Sequence, residues 1–197
     1  MVRHRSLRRF LGEEAGVTLV EGLISLPIVM LAFAAFVEFG YAMFQWNQTV
    51  KALQLGARLV AVSDRMLTQA QVTSLSTSTG GVGGQGLPAD GLSFTCVNGG
   101  SAECQAGLRR LVNGSGRWPG LRAFNPRIGL DNVAVTYTRS GLGYHGRPNG
   151  AVVTIRLEAR NITFNLPLLG GLLGLNTITI PPMPVTITSE DLSTSSS

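Results

Sequence analysis

Gly16, Val17 and Glu21 are the residues whose types and spacing could do chemistry in this chain. A glycine followed by an apolar residue offers a processing peptidase a small side chain at the cut. If the chain were cut after Gly16, the freed amino group of Val17 would stand four residues before a carboxylate. In a helix, positions four apart lie on one face a single turn from each other, so that amine, or the same amine of a neighbouring subunit, could give Glu21 its positive partner. Glu21 needs one, because a lone carboxylate among apolar residues in a membrane costs on the order of several kcal/mol unless it is neutralised or paired. The spacing thus couples proteolytic maturation to subunit assembly.

The element that must position these residues is the stretch from Gly16 to Arg58. No charge occurs from Gly22 to Val37, and Val17 to Val37 meets the length of about 20 residues that crosses a bilayer. Before it lies a basic leader carrying Arg3, Arg5, Arg8 and Arg9, with His4 among them. Arginines are retained on the cytoplasmic side, so the amino end is expected inside and the rest of the chain across the membrane. The formal net charge of +5 is otherwise scattered along the chain, which argues against a nucleic-acid arm. Pro27 lacks an amide hydrogen and is expected to kink the helix, with Gly22 softening it further. Beyond the span, Phe36, Phe39, Met43, Trp46, Val50, Leu53, Ala57 and Val60 recur at steps of three and four, which predicts one apolar helical stripe packed on the chain's own head or on neighbouring subunits. Lys51, Arg58 and Arg65 recur at sevens and predict a solvated basic stripe.

The 197 residues leave room for one modest domain besides the membrane element. The expected organisation is a leader over 1–16, a transmembrane and stalk helix over 17–70, a Gly/Ser/Thr-rich linker over 71–91, an extracytoplasmic head over 92–189 and a disordered tail over 190–197. The fold class is α+β: a long amino-terminal transmembrane and stalk helix, kinked near Pro27, and a small head with an antiparallel β-sheet and a short helix. Within the head, Leu92 to Cys96 reads as a strand and Ala102 to Val112 as a helix capped by Ser101. Residues 113–127 read as irregular chain with Trp118 and Phe124 as core anchors. Val133, Val135 and Tyr137 alternate with polar residues, as do Val153, Ile155, Leu157 and Ala159, which predicts half-buried antiparallel strands joined by a loop ending in the turn pair Asn149-Gly150. Thr177 to Ile187 alternates around Pro181-Pro182, which confines that part to an edge or a break. The apolar stretch Leu166 to Leu175 is too short to span a bilayer, so it is either buried in the head or a contact with a membrane surface or a partner.

Few residues are left for other chemistry. Cys96 and Cys104 would close a small loop by a disulfide in an oxidising compartment, and would stay separate thiols in a reducing one. His4 and His145 lack ligand spacing to the cysteines, so neither a metal nor a cofactor is expected. Gly81-Val-Gly-Gly-Gln-Gly86 spells G-x-G-x-x-G, but no apolar strand precedes it and Leu87-Pro88 follows where a phosphate-binding helix would have to start. Asp90, Glu103, Asp131 and Glu158 are too far apart in the chain to suggest a site. No catalytic motif is present and no enzymatic activity is expected.

The basic leader, Gly16, Val20-Glu21, Pro27, Glu38-Phe39-Gly40 and Gly56-Ala57-Arg58, set in this order along one apolar helix, resemble the type IV pilin class and more narrowly the TadE-like family of the Tad (Flp-type) pilus systems. Gly22 departs from the family, which more often has a bulky apolar residue there. The resemblance implies cleavage between Gly16 and Val17 by a prepilin peptidase, amino-terminal methylation of Val17, and a role for Glu21 in assembly. It implies a minor pilin or pseudopilin of the bacterial inner membrane that works with other pilins or pseudopilins and with inner-membrane pilus assembly proteins, without a cofactor and without nucleic acid. Two other readings compete. A secretory signal cut after the small-x-small group Ala32-Phe33-Ala34 would release a soluble binding protein, and an uncut signal anchor would hold a binding head at the membrane.

Overall fold

The structure, a computed structural model, describes residues 14–148, 150–167, 170, 171, 174 and 177–189, with no account of the side chains of Glu14, Ala15 and Ile178. The leader before Glu14, the tail after Ser189, Asn149 of the expected turn pair and residues 168, 169, 172, 173, 175 and 176 lie outside the described residues.

Helix α1 runs from Glu14 to Val62, 49 residues, and continues through Pro27 without a break in its span. Its composition explains the length: Leu, Ala and Met favour helix, and few glycines interrupt them. Helix α2 follows at Gln69–Ser76, opened by a capping box in which Thr68 Oγ1 accepts from the Gln71 amide while Gln71 Oε1 accepts from the Thr68 amide. Strand β1 is Ser93–Cys96, helix α3 Ala102–Asn113, helix α4 Leu121–Phe124, strand β2 Val133–Thr138, β3 Thr154–Ala159, β4 Thr163–Asn165, β5 Thr177–Thr179 and β6 Met183–Thr188. The architecture is α+β, with short helices and a small antiparallel sheet after one long apolar helix.

Two compact units divide the chain. One comprises residues up to Met43 together with Asn165–Thr177; the other comprises Phe44–Phe164 and the chain from Ile178 onward. In the second unit four strands pair antiparallel in the order β1-β2-β3-β6, with Phe94 opposite Tyr137, Tyr137 opposite Ile155 and Ile155 opposite Ile187. Alternation sends Val133, Val135, Tyr137, Ile155, Leu157 and Ala159 to one face, where they meet Leu53, Ala57 and Val60 of α1 and Leu108, Leu111 and Val112 of α3 in one core. The opposite face carries Ser93, Thr95, Thr136, Thr138, Thr154, Arg156, Thr186 and Thr188.

Several expectations are corrected here. The stretch 71–91 holds most of α2 and the buried Leu87, because the capping box and the apolar pair Val72 and Leu75 make a helix from a mostly polar sequence. Residues 113–127 contain α4, and its Leu121 is fully buried while Trp118 and Phe124 pack against each other, ring centroids 5.9 Å apart, at the half-buried margin. The alternating stretch 177–187 is two strands in two sheets, parted at Ile180–Pro182, and β6 is an edge strand where Pro184 is tolerated. Arg65 lies beyond the end of α1 and donates to the Ala151 carbonyl at 2.8 Å, so it belongs to no solvated helical stripe, whereas Lys51 and Arg58 are exposed.

Candidate functional site

Gly16, Val17 and Glu21 all lie within α1 on its exposed surface, and Val17 and Glu21 are one turn apart, a rise of about 6 Å along the axis. No atom comes within 4 Å of where a side chain would begin on Gly16, Gly22 or Gly40. This half of α1 is apolar around most of its circumference, with Phe36 77% exposed, and α1 is the one helix among the described residues that is long and apolar enough to cross a membrane. The expected apolar stripe therefore splits in two. Phe36, Phe39 and Met43 are exposed, whereas Leu53, Ala57 and Val60 are buried in the head core.

The second half of α1 is gripped by the head. Gly56 is the point of closest approach: a Cβ there would lie 2.9 Å from Leu121, 3.1 Å from Leu157 and 3.3 Å from Leu111. Thr49 is fully buried, accepts a 2.8 Å hydrogen bond from Asn125 Nδ2 and donates to the Gln45 carbonyl. A buried amide left unpaired would destabilise the fold, so this bond fixes the helix in register against the loop that carries Asn125.

The remaining polar residues hold the head together separately. Cys96 and Cys104 are joined by a disulfide that ties β1 to the first turn of α3, where the Ser101 hydroxyl caps the Cys104 amide. Arg139 is buried, with its guanidinium on the Asp90 carboxylate and on the carbonyls of Ser74 and Thr77. Hydrogen bonding to Arg139 holds the Asp90 carboxyl down at about 2, and the same bond raises Arg139. Burial pushes the Tyr137 phenol up to about 12; its hydroxyl accepts from the Met66 amide. Glu158 is held between Arg156 and Arg160, and Asp131 accepts from Asn98. Asp90, Asp131 and Glu158 thus answer to three different sets of partners. His145 is buried, its ring against Gly81 and its Nε2 3.0 Å from the Ser78 hydroxyl, and the glycine loop 81–86 is bridged to Tyr144 rather than opening a helix. Among the described residues, no group of three or more His, Cys, Asp or Glu is placed to hold a metal.

Sequence reasoning missed Thr49, Asn125 and Arg139. Their partners lie 49 to 76 residues away in the chain, and no local spacing points to them. The site that spacing did point to is the exposed half of α1 with its buried continuation. No curated protein and no solved structure matches the chain. Residues 16–58 match the family model for the TadE-like protein, so the likeness to a known family resides in α1, over the stretch that carries Gly16, Val17 and Glu21 at one end and Gly56 at the other.

Proposed function

We propose that this chain is a membrane-anchored minor pilin or pseudopilin that takes part in assembling a Tad (Flp-type) pilus. A prepilin peptidase cuts between Gly16 and Val17 on the cytoplasmic side of the bacterial inner membrane, and the freed amine of Val17, or that of a neighbouring subunit, pairs with Glu21. The head then stands outside the cytoplasmic membrane, and the partners are other pilins or pseudopilins and the inner-membrane assembly proteins.

The observation that carries this reading is the one-turn spacing of Val17 and Glu21 on the exposed face of α1, inside the segment that matches the TadE-like model. A carboxylate exposed on an apolar helix requires a partner once lipid surrounds it. A glutamate inside the apolar region and the unbroken run of α1 past Ala32-Phe33-Ala34 speak against a signal cut there.

The test is mass spectrometry of the first peptide of the protein recovered from bacterial membranes. The expected start is Val17; a start near Ala35 or an intact Met1 would replace this function with a secreted domain or a signal anchor. Glu21→Gln is expected to leave membrane insertion intact and to impair pilus formation, and undiminished piliation would remove Glu21 from assembly.

A further inference from the structure

The head does not close completely where the end of α1 meets α3. Between them lies a cavity of about 270 Å³, with Val60, Met66 and Leu111 buried at its base and Leu59 and Trp118 half-buried at its sides. Gly107 also lines it, and a Cβ there would stand 2.3 Å from Met66 Cγ, so glycine is what lets Met66 lie against α3. Trp118 is held in place by its backbone and by its ring. Its amide and carbonyl exchange 3.0 Å hydrogen bonds with Ser115, its Nε1 donates to the Leu111 carbonyl at 2.9 Å, and the ring packs on Phe124. With the indole N–H satisfied inside the protein, what Trp118 offers the cavity is apolar ring.

The mouth is polar, and its uncommitted charge is positive. Asp64 and Arg110 both border the cavity. Asp64 has an interaction of its own, whereas no hydrogen bond or ion pair among the described residues takes up the exposed guanidinium of Arg110. The same is true of Arg58, Arg109 and Arg117, which are close in the chain to residues that line the cavity. Residues 44–189 carry twelve lysines and arginines against five aspartates and glutamates. An anion approaching the head therefore meets a favourable field, and Arg110 is placed to take it at the cavity itself.

Size selects the kind of occupant. Pockets for drug-sized ligands run from roughly 300 to 1,000 Å³, so a cavity of about 270 Å³ suits a single bulky side chain. Such side chains, seated in pockets, are what anchor protein interfaces. An inorganic anion would leave the apolar base unused, and an uncharged apolar group would leave Arg110 unused. We propose that the cavity is a docking site for a partner protein, which inserts one bulky apolar side chain and sets a carboxylate beside it against Arg110. That carboxylate is the partner's own C-terminus or an acidic side chain next to the anchor. The site belongs to the head and depends neither on cleavage after Gly16 nor on α1 spanning a bilayer.

The test uses the detergent-solubilised full chain and three acetylated peptides, each carrying a photoreactive diazirine leucine after two glycines. One ends in that leucine as a free acid, the second is its carboxamide, and in the third the leucine precedes an aspartate whose terminus is amidated. After irradiation the labelled residues are mapped by mass spectrometry. Saturable labelling within residues 59–66 and 107–118 is expected for an acid-bearing peptide, at least about threefold above the carboxamide. Whichever acid labels more strongly identifies the source of the carboxylate. Arg110→Gln is expected to erase that preference. Ser115→Trp, at an exposed position on the mouth, should block labelling by all three peptides while the melting temperature holds. Equal labelling by acids and carboxamide, or a preference that survives Arg110→Gln, would overturn the proposal. Labelling that spreads along α1, or persists in the Ser115→Trp chain, would show that the cavity takes no peptide. Competition by decanoate as strong as by the unlabelled acid peptide would make a fatty acid the occupant, and labelling that rises as the protein is diluted would make it a second copy of this chain; either result overturns the proposal.

Discussion

The guanidinium of Arg139, 5% exposed, closes on the carboxylate of Asp90, 43% exposed, and binds with its remaining N–H groups the carbonyls of Ser74 and Thr77 at the end of α2. One side chain immediately after β2 thereby fastens a stretch whose composition suggests a loose linker.

That clasp makes part of the fold's stability acid-sensitive. Asp90 titrates at about 2 in the folded chain against 3.8 ordinarily, so its contribution is complete above 3.8 and is lost as pH falls toward 2. Asp90→Asn is expected to lower the melting temperature at neutral pH and to flatten its decline between pH 4 and pH 2. Thermal unfolding followed by circular dichroism across that range decides it; parallel curves for the two proteins would detach Asp90 from the acid response.

Gly56 and Gly40 lie in the same helix and should respond to substitution in opposite directions. A Cβ on Gly56 meets three leucine methyls within 3.3 Å, all in the buried core, and Gly56→Val has nowhere to place two more carbons. Overpacking of this kind costs about 1–3 kcal/mol, which outweighs any gain in helix propensity. Gly40→Ala meets nothing within 4 Å and should instead gain up to about 1 kcal/mol. Urea unfolding of the detergent-solubilised chain measures both, and equal effects at the two positions would mean that Gly56 is not a packing point.

The bond between Cys96 and Cys104 spans eight positions of sequence, and closing so short a loop stabilises by about 2–3 kcal/mol through the unfolded chain. Cys96→Ser with Cys104→Ser should lose that amount. Alkylation of the unfolded native chain without reductant should leave its mass unchanged; the addition of two alkyl groups would show free thiols and rule the bond out.

How far the molecule was legible depended on whether a residue's partner lay nearby. The span, β2, β3 and α3 follow from local period: Val133, Val135 and Tyr137 alternate, and Ser101 stands where a cap belongs. Gly16, Val17 and Glu21 could be singled out because their relation is one turn of a single helix. Thr49 with Asn125, and Arg139 with Asp90, are pairings made by the tertiary fold, and no period along the chain points from one to the other. Helix α2 was obscured differently: its start is written as Thr68-Gln-Ala-Gln71, but of the eight residues from Gln69 to Ser76 all except Leu75 are exposed or half-buried, so hydrophobicity gave little signal.

Gly56 also has a bearing on the order in which the chain is made. Leu53, Ala57 and Val60 leave the ribosome early, yet the leucines that close over this part of α1 include Leu157, about a hundred residues later. At the roughly 5–20 residues per second of synthesis, that interval is on the order of 5–20 seconds. Throughout it the apolar end of α1 lacks the strand that completes its core, so a newborn chain presents to holding chaperones a sticky helix that its own late strands sheathe.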